Sequence, residues 1–218
     1  SRWDAILELK MVMDPEWVEP LIELLHDPEW VIRWSVAEKL GDMEDERAIV
    51  PLMSLILDKD YHVRKNALKA LIKFGEALIP YLVPKFSDTD PLIRKYTFQI
   101  LLAIGDSIIP DLFAEIEKHN WIVDQRLVHT ISVIKGPLSD VYLIKALGIN
   151  SVKKNVILML GHRNCIDAID PLVAMYADPP VKRMVFHSLR RIDEEVVFDR
   201  LLFFISNEHL GLSNQAGA

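Results

Sequence analysis

The side chains able to do chemistry are few and scattered. Seven histidines and one cysteine occur in 218 residues. No His-Glu pair, HExxH, GxGxxG, Walker loop or nucleophile elbow organises them. His162, Cys165, Asp167 and Asp170 lie close enough to sketch a metal cluster, but their spacing matches no established site, and Asp167 sits where a turn needs a cap. Cys165 has no activating base in its segment and reads as a small packing residue. The densest group is Trp121, Asp124, Gln125, Arg126 and His129, which share one or two turns of an expected helix. No metal and no other cofactor is expected, and nothing commits the chain to catalysis.

Composition narrows the class. Half of the residues are apolar, 26% are charged, and 25 Lys and Arg face 32 Asp and Glu for a net charge of −7. That is enough apolar content for one sizeable domain, too much for a disordered tail, and one cysteine builds no disulfide scaffold. No stretch approaches the roughly 18 uninterrupted apolar residues of a membrane helix, and Ser1-Arg2-Trp3-Asp4 has no signal-peptide layout. A soluble cytoplasmic protein is the expectation.

The chain repeats. A proline within an aliphatic context recurs at Pro20, Pro51, Pro80, Pro110 and Pro171, spaced 31, 29, 30 and 61 residues apart. A basic row at Arg2, Arg33, Arg64, Arg94, Lys153 and Lys182 keeps the same period, and only Asp124 breaks it. Each unit reads as two helices. The first carries the proline and the second the basic residue, and Val63, Ala67, Ala70, Leu71 and Phe74 mark a buried stripe on one second helix. Asp27-Pro28, Asp90-Pro91 and Asp178-Pro179 read as N-caps before a first-position proline. Gly41, Gly75, Gly105, Gly136 and Gly161 read as left-handed C-caps of the second helices. The fold class is all-α, a solenoid.

Asp27-Pro-Glu-Trp-Val-Ile-Arg33 with Leu40-Gly-Asp-Met-Glu-Asp-Glu-Arg-Ala-Ile-Val-Pro-Leu52 resembles the HEAT-like repeat first recognised in phycobilin lyase subunits, and Leu160-Gly-His-Arg-Asn-Cys-Ile-Asp-Ala-Ile-Asp-Pro-Leu172 resembles a second copy. The resemblance implies a right-handed α-α superhelix of six to seven repeats. It extends as a single solenoid over residues 1–205, entered within a repeat, with a flexible tail at 206–218. It also implies that the second helices line a concave face. Scaffolds, lyase subunits, DNA glycosylases and a metal-dependent hydroxylase all use this repeat, so it does not name a function. The His-Glu dipeptides that serve as iron ligands in the hydroxylase branch are absent here.

Rows across the repeats are the unit of functional reading. Arg33, Arg64 and Arg94, each six residues after Asp27, Asp58 and Asp88, suggest an Asp–Arg ladder tying neighbouring repeats. The next row, Trp34, Lys65, Lys95, Gln125, Lys154 and Arg183, is joined one turn later by Lys69, His129 and His187. Segments 28–41, 61–75, 91–105, 121–136, 151–161 and 179–192 together carry +13, leaving −20 on the rest. Helix-dipole complementarity accounts for basic residues near C-termini but not for Lys-Lys and Arg-Lys pairs in first turns. The row is therefore a candidate concave cationic strip. Trp30, Tyr61 and Trp121 form an aromatic edge that either covers the inter-helix turn or stacks on a partner. These features point to a non-catalytic scaffold or adaptor that binds an acidic protein surface or peptide. Nucleic acid is the second candidate partner. Trp121 and Asp124 in a cationic cleft are suggestive of bacterial alkylpurine DNA glycosylases of HEAT-like fold, and the repeat type leaves a lyase-complex subunit open.

Overall fold

The computed structural model describes residues 14–118 and 125–202, and these hold helices and turns with no strand among them. The chain is an all-α solenoid of helix pairs. Contacts divide it into two compact units, residues 1–121 and 122–218. The first holds α1 (Val18–Leu24), α2 (Trp30–Met43), α3 (Ile49–Ser54), α4 (Tyr61–Lys73), α5 (Ile79–Leu82), α6 (Pro91–Ile104) and α7 (Ile109–Lys118). The second holds α8 (Gln125–Val133), α9 (Pro137–Ala146), α10 (Lys153–His162), α11 (Ile169–Ala174), α12 (Lys182–Leu189) and a helical stretch at 194–202. No single helix among the described residues is long and apolar enough to cross a membrane.

The two rulers of the sequence have separate physical roles. Pro20, Pro51, Pro80, Pro110 and Pro171 all fall in the first turn of a first helix, where a missing amide forfeits no intrahelical bond. Around each proline, a buried pair one turn apart anchors the helix: Val18 and Leu21, Ile49 and Leu52, Ile79 and Leu82, Ile109 and Leu112, Ile169 and Leu172. Each such side chain stabilises the fold by about 2 kcal/mol on burial. The stripe Val63, Ala67, Ala70, Leu71 and Phe74 is buried as its spacing predicts.

The basic ruler marks the turn into each second helix. Arg33 Nη1 donates to the carbonyls of Asp27 (2.7 Å) and Pro28 (3.0 Å). Arg64 Nη1 does the same to Asp58 (2.6 Å) and Lys59 (3.1 Å), and Arg94 Nη1 to Asp88 (2.6 Å) and Thr89 (2.9 Å). The carboxylates of Asp27, Asp58 and Asp88 each accept the amide two residues on, from Glu29, Asp60 and Asp90. Asp60 and Asp90 in turn cap α4 and α6. Two of the expected Asp-Pro caps need correcting. Only Asp90 caps its helix directly, whereas α2 starts at Trp30 after Glu29 and α12 at Lys182 after a turn. Asp27-Pro28 and Asp90-Pro91 look alike in sequence but stand two positions apart in the repeat, because Asp27 corresponds to Asp88.

Arg33 also reaches the following repeat. Its Nε and Nη2 donate to Asp58 Oδ2 (2.8 Å) and Oδ1 (2.9 Å), with side-chain exposures of 6% and 8%. The bidentate bond to Asp58 is the main cause that raises the guanidinium above its ordinary value, although burial opposes it. Burial works to raise the Asp58 carboxyl, but the Arg33 bonds and the Asp60 amide together hold it below the usual carboxylate range.

The glycines correct a second expectation. Gly75 and Gly105 have positive φ (51° and 92°), but Gly136 is extended and precedes α9. Gly41 and Gly161 lie inside α2 and α10. A Cβ on Gly41 would stand 2.6 Å from Ala70 Cβ, and one on Gly161 would stand 2.6 Å from Ser188 Cα. These two glycines let consecutive second helices touch backbone to backbone. The left-handed residues that end the two connections are Glu44 (φ 50°) and Asn164 (φ 56°), each three positions later. Side chains reinforce both contacts. Asn66 donates to the Trp34 carbonyl (2.7 Å) from α4, and Ser188 to the Ile157 carbonyl (2.7 Å) from α12.

Gly41→Val should destabilise the protein by about 2 kcal/mol through overpacking against Ala70. Gly148→Ala, whose nearest neighbour is a carbonyl 3.5 Å away, should stay within about 0.5 kcal/mol; urea titration of both variants checks this. Asp58→Asn strands a buried guanidinium and should cost about 3 kcal/mol at neutral pH. The folded Asp58 carboxyl titrates below its unfolded value of about 3.9, so the pair's stabilisation is complete above that pH. It is lost as pH falls toward the folded value, and the gap between wild type and Asp58→Asn should close there in acid-limb stability curves.

Candidate partner-binding surface

Second helices pack side by side within each unit, α2 on α4 and α4 on α6 in the first, α8 on α10 and α10 on α12 in the second. Their buried stripes face the core, so the residues just after the basic row are turned outward. Lys65 and Lys69 on α4, Lys95 on α6, Lys154 on α10, and Arg183 with His187 on α12 are all exposed. Among the described residues, none of Lys65, Lys69, Lys95, Lys154 and Arg183 has a carboxylate within ion-pair distance. By contrast, Lys73 is paired with Asp42, Arg47 with Asp45, and Lys85 with Asp88. Lys73 closes α4 one turn after Lys69, whereas Arg47 and Lys85 lie outside the second helices. Lys95 lies 5.9 Å from the Tyr96 ring, and His187 packs edge-on at 6.2 Å against Phe186.

Other members of the expected strip are placed differently. Trp34 is half-buried, and its carbonyl accepts from Asn66. Gln125 opens α8, and His129 is exposed one turn further on. Trp121 and Asp124 lie outside the described residues. In the aromatic edge, Trp30 and Tyr61 begin α2 and α4, with exposures of 41% and 59%. His62 joins them, its ring 5.5 Å from Trp30 and 5.6 Å from Tyr61, and Arg64 lies 5.8 Å over the Tyr61 ring. Rings from successive repeats therefore form one exposed ledge at the entry to two second helices.

Arg163 is the functional-looking residue that sequence reasoning passed over as part of a connection. Its Nε donates to Asp140 Oδ1 (2.6 Å), and its Nη1 donates to the carbonyls of Ser132 (2.8 Å) and Ile134 (2.8 Å). A longer bond joins Nη2 to the Gly136 carbonyl (3.3 Å). One guanidinium thus closes the end of α8 and clasps the start of α9. No local pattern announces it, since its partners lie 23 to 31 residues upstream. Beside it, a recess of about 750 Å³ opens between α8, α9 and α10.

Burial, helped by the Asp140 charge, pushes the Cys165 thiol up, so it stays protonated and unreactive at neutral pH. Among the described residues, no group of three or more His, Cys, Asp or Glu is placed to hold a metal ion.

Comparison with known proteins agrees with the repeat reading. The HEAT-repeat family model matches residues 1–73 and 18–94. No protein of curated function matches the sequence. Similar solved structures include human deoxyhypusine hydroxylase in complex with glycerol (19% identity, 92% of this chain and 82% of that one, TM-score 0.37). They also include the complex of CpcE and CpcF of phycocyanin lyase from Nostoc sp. PCC7120 (19% identity, 94% and 88%, TM-score 0.37) and an engineered protein (18% identity, 80% and 95%, TM-score 0.33). Residues 1–94 of this chain match HEAT repeats.

Proposed function

We propose that the protein is a non-catalytic interaction scaffold whose outward second-helix row, lining a concave face, binds an acidic protein surface or peptide. The observation that carries this reading is the set of five exposed cations, Lys65, Lys69, Lys95, Lys154 and Arg183, that have no carboxylate partner among the described residues. Within each unit these groups have no ion pair to break before meeting an anionic partner, so they can steer it and set its register. The exposed ledge of Trp30, His62 and Tyr61 supplies contact area next to them. Nucleic acid fits less well, because the −20 carried outside the second-helix segments repels a polyanion approaching from any other direction. A cytoplasmic setting suits a chain whose one cysteine is buried and reduced.

Fluorescence anisotropy with labelled oligoglutamate and with a single-stranded oligonucleotide tests the reading. Oligoglutamate should bind wild type and weaken steeply between about 50 and 300 mM salt. The triple variant Lys65→Glu, Lys69→Glu, Lys95→Glu should weaken it about tenfold or more at low salt. Unchanged affinity in that variant overturns the reading, and tighter binding of the oligonucleotide would assign the strip to nucleic acid instead.

A further inference from the structure

The small-residue contact between second helices is made by α2 with α4 and by α10 with α12, and larger side chains replace it elsewhere, as Ile72 and Ile100 do between α4 and α6. In the register of the basic row, Gly41 lies eight positions after Arg33 and its neighbour Ala70 six after Arg64. Gly161 lies eight after Lys153 and its neighbour Ser188 six after Lys182. The same offsets from Asp124 and Lys153 fall on Ser132 in α8 and Met159 in α10. Two side chains stand where a glycine elsewhere lets helices touch, and both line the recess beside Arg163. Arg163 spans the gap with hydrogen bonds to Ser132, Ile134 and Gly136 carbonyls, and Asp140 neutralises its charge. The opening is therefore built into the packing and held by a polar brace, rather than left by loose side chains.

Its chemistry is specific. Leu158 and Met159 supply an apolar wall, and the Lys135 ammonium, the Asn155 amide and the His162 ring line the same space. Among the described residues, these three have no hydrogen-bond or ion-pair partner. Asp140, the one carboxylate in the lining among the described residues, is taken by Arg163. We propose that this recess is a carboxylate subsite, in which a partner's acidic group meets Lys135, Asn155 and His162 while its methylenes lie on Leu158 and Met159. Lys154, exposed one turn before Leu158 on α10, extends the same field. The proposal deepens the acidic-partner reading and rests on it for the partner's charge, but the subsite has its own residues and its own readout.

The test follows the Met159 ε-methyl NMR signal while the full chain is titrated with C-terminally amidated oligoglutamate. Oligoglutamine with a free C-terminus, as a second probe, distinguishes a side-chain carboxylate from a chain-end carboxylate. The signal should shift saturably with a carboxylate-bearing probe and stay fixed with amidated oligoglutamine. Lys135→Ala and His162→Ala should each weaken the response about fivefold, and both variants should melt with wild type because neither side chain bonds to the fold. A Met159 signal that does not move, or that moves equally in Lys135→Ala, overturns the subsite. If Met159 is silent while reversal of Lys65, Lys69 and Lys95 abolishes binding, the subsite falls and the wider reading stands. If Met159 responds but that reversal has no effect, the wider reading falls and the subsite stands.

Discussion

The close approach of consecutive second helices governs the rest of the structure. Where Gly41 meets Ala70 and Gly161 meets Ser188, the backbones come within contact distance. Hydrogen bonds from Asn66 and Ser188 then fix the register of one helix on the last. Because units of a repeat protein touch only their neighbours, register set at one interface propagates to the next. That register keeps Val63, Ala67 and Leu71 inward, and it is also what turns Lys65 and Lys69 outward. Core and outward row are two faces of one constraint.

Electrostatics in this chain are divided by depth. Arg33 spends its guanidinium on one buried carboxylate and two carbonyls, and Arg64 and Arg94 spend theirs on turn carbonyls. These cations satisfy the turns that lead into α2, α4 and α6, and Asp58 neutralises Arg33, whereas Arg64 and Arg94 bond to neutral carbonyls and keep their charge. The lysines immediately after Arg64 and Arg94 make no such bond, so adjacent residues of the same charge have opposite roles. A row that alternates between structural and solvated cations explains how a chain of net charge −7 can present a basic surface.

Much of this was legible in the sequence, and the losses have identifiable causes. The period placed the proline in each first helix and the arginine in each second, because both answer to local backbone needs that repeat with the unit. The capping glycines misled at Gly41 and Gly161, since a glycine required by a neighbour thirty residues away looks the same in sequence as one required by a positive φ. Glu44 and Asn164 take the left-handed turn instead, and only Asn is a residue that sequence reasoning expects there. Asp27-Pro28 misled for a related reason: it stands two positions before the cap position that Asp90 holds, while α2, α4 and α6 all begin three residues before their arginine. Arg163 was invisible because its partners lie 23 to 31 residues upstream, in α8, α9 and the turn between them.

By itself the sequence determined the all-α class, the two-helix unit, the buried stripe and the identity of the outward cations. Each of these follows from periodicity within about thirty residues, where chain neighbours are also spatial neighbours. Tertiary structure alone decided which cations stay unpaired, where helices touch, and that α8 and α10 part around Ser132 and Met159 to leave a braced recess. Those outcomes depend on side chains from different repeats meeting at a few ångströms, and distance of that kind is fixed by packing rather than by spacing along the chain.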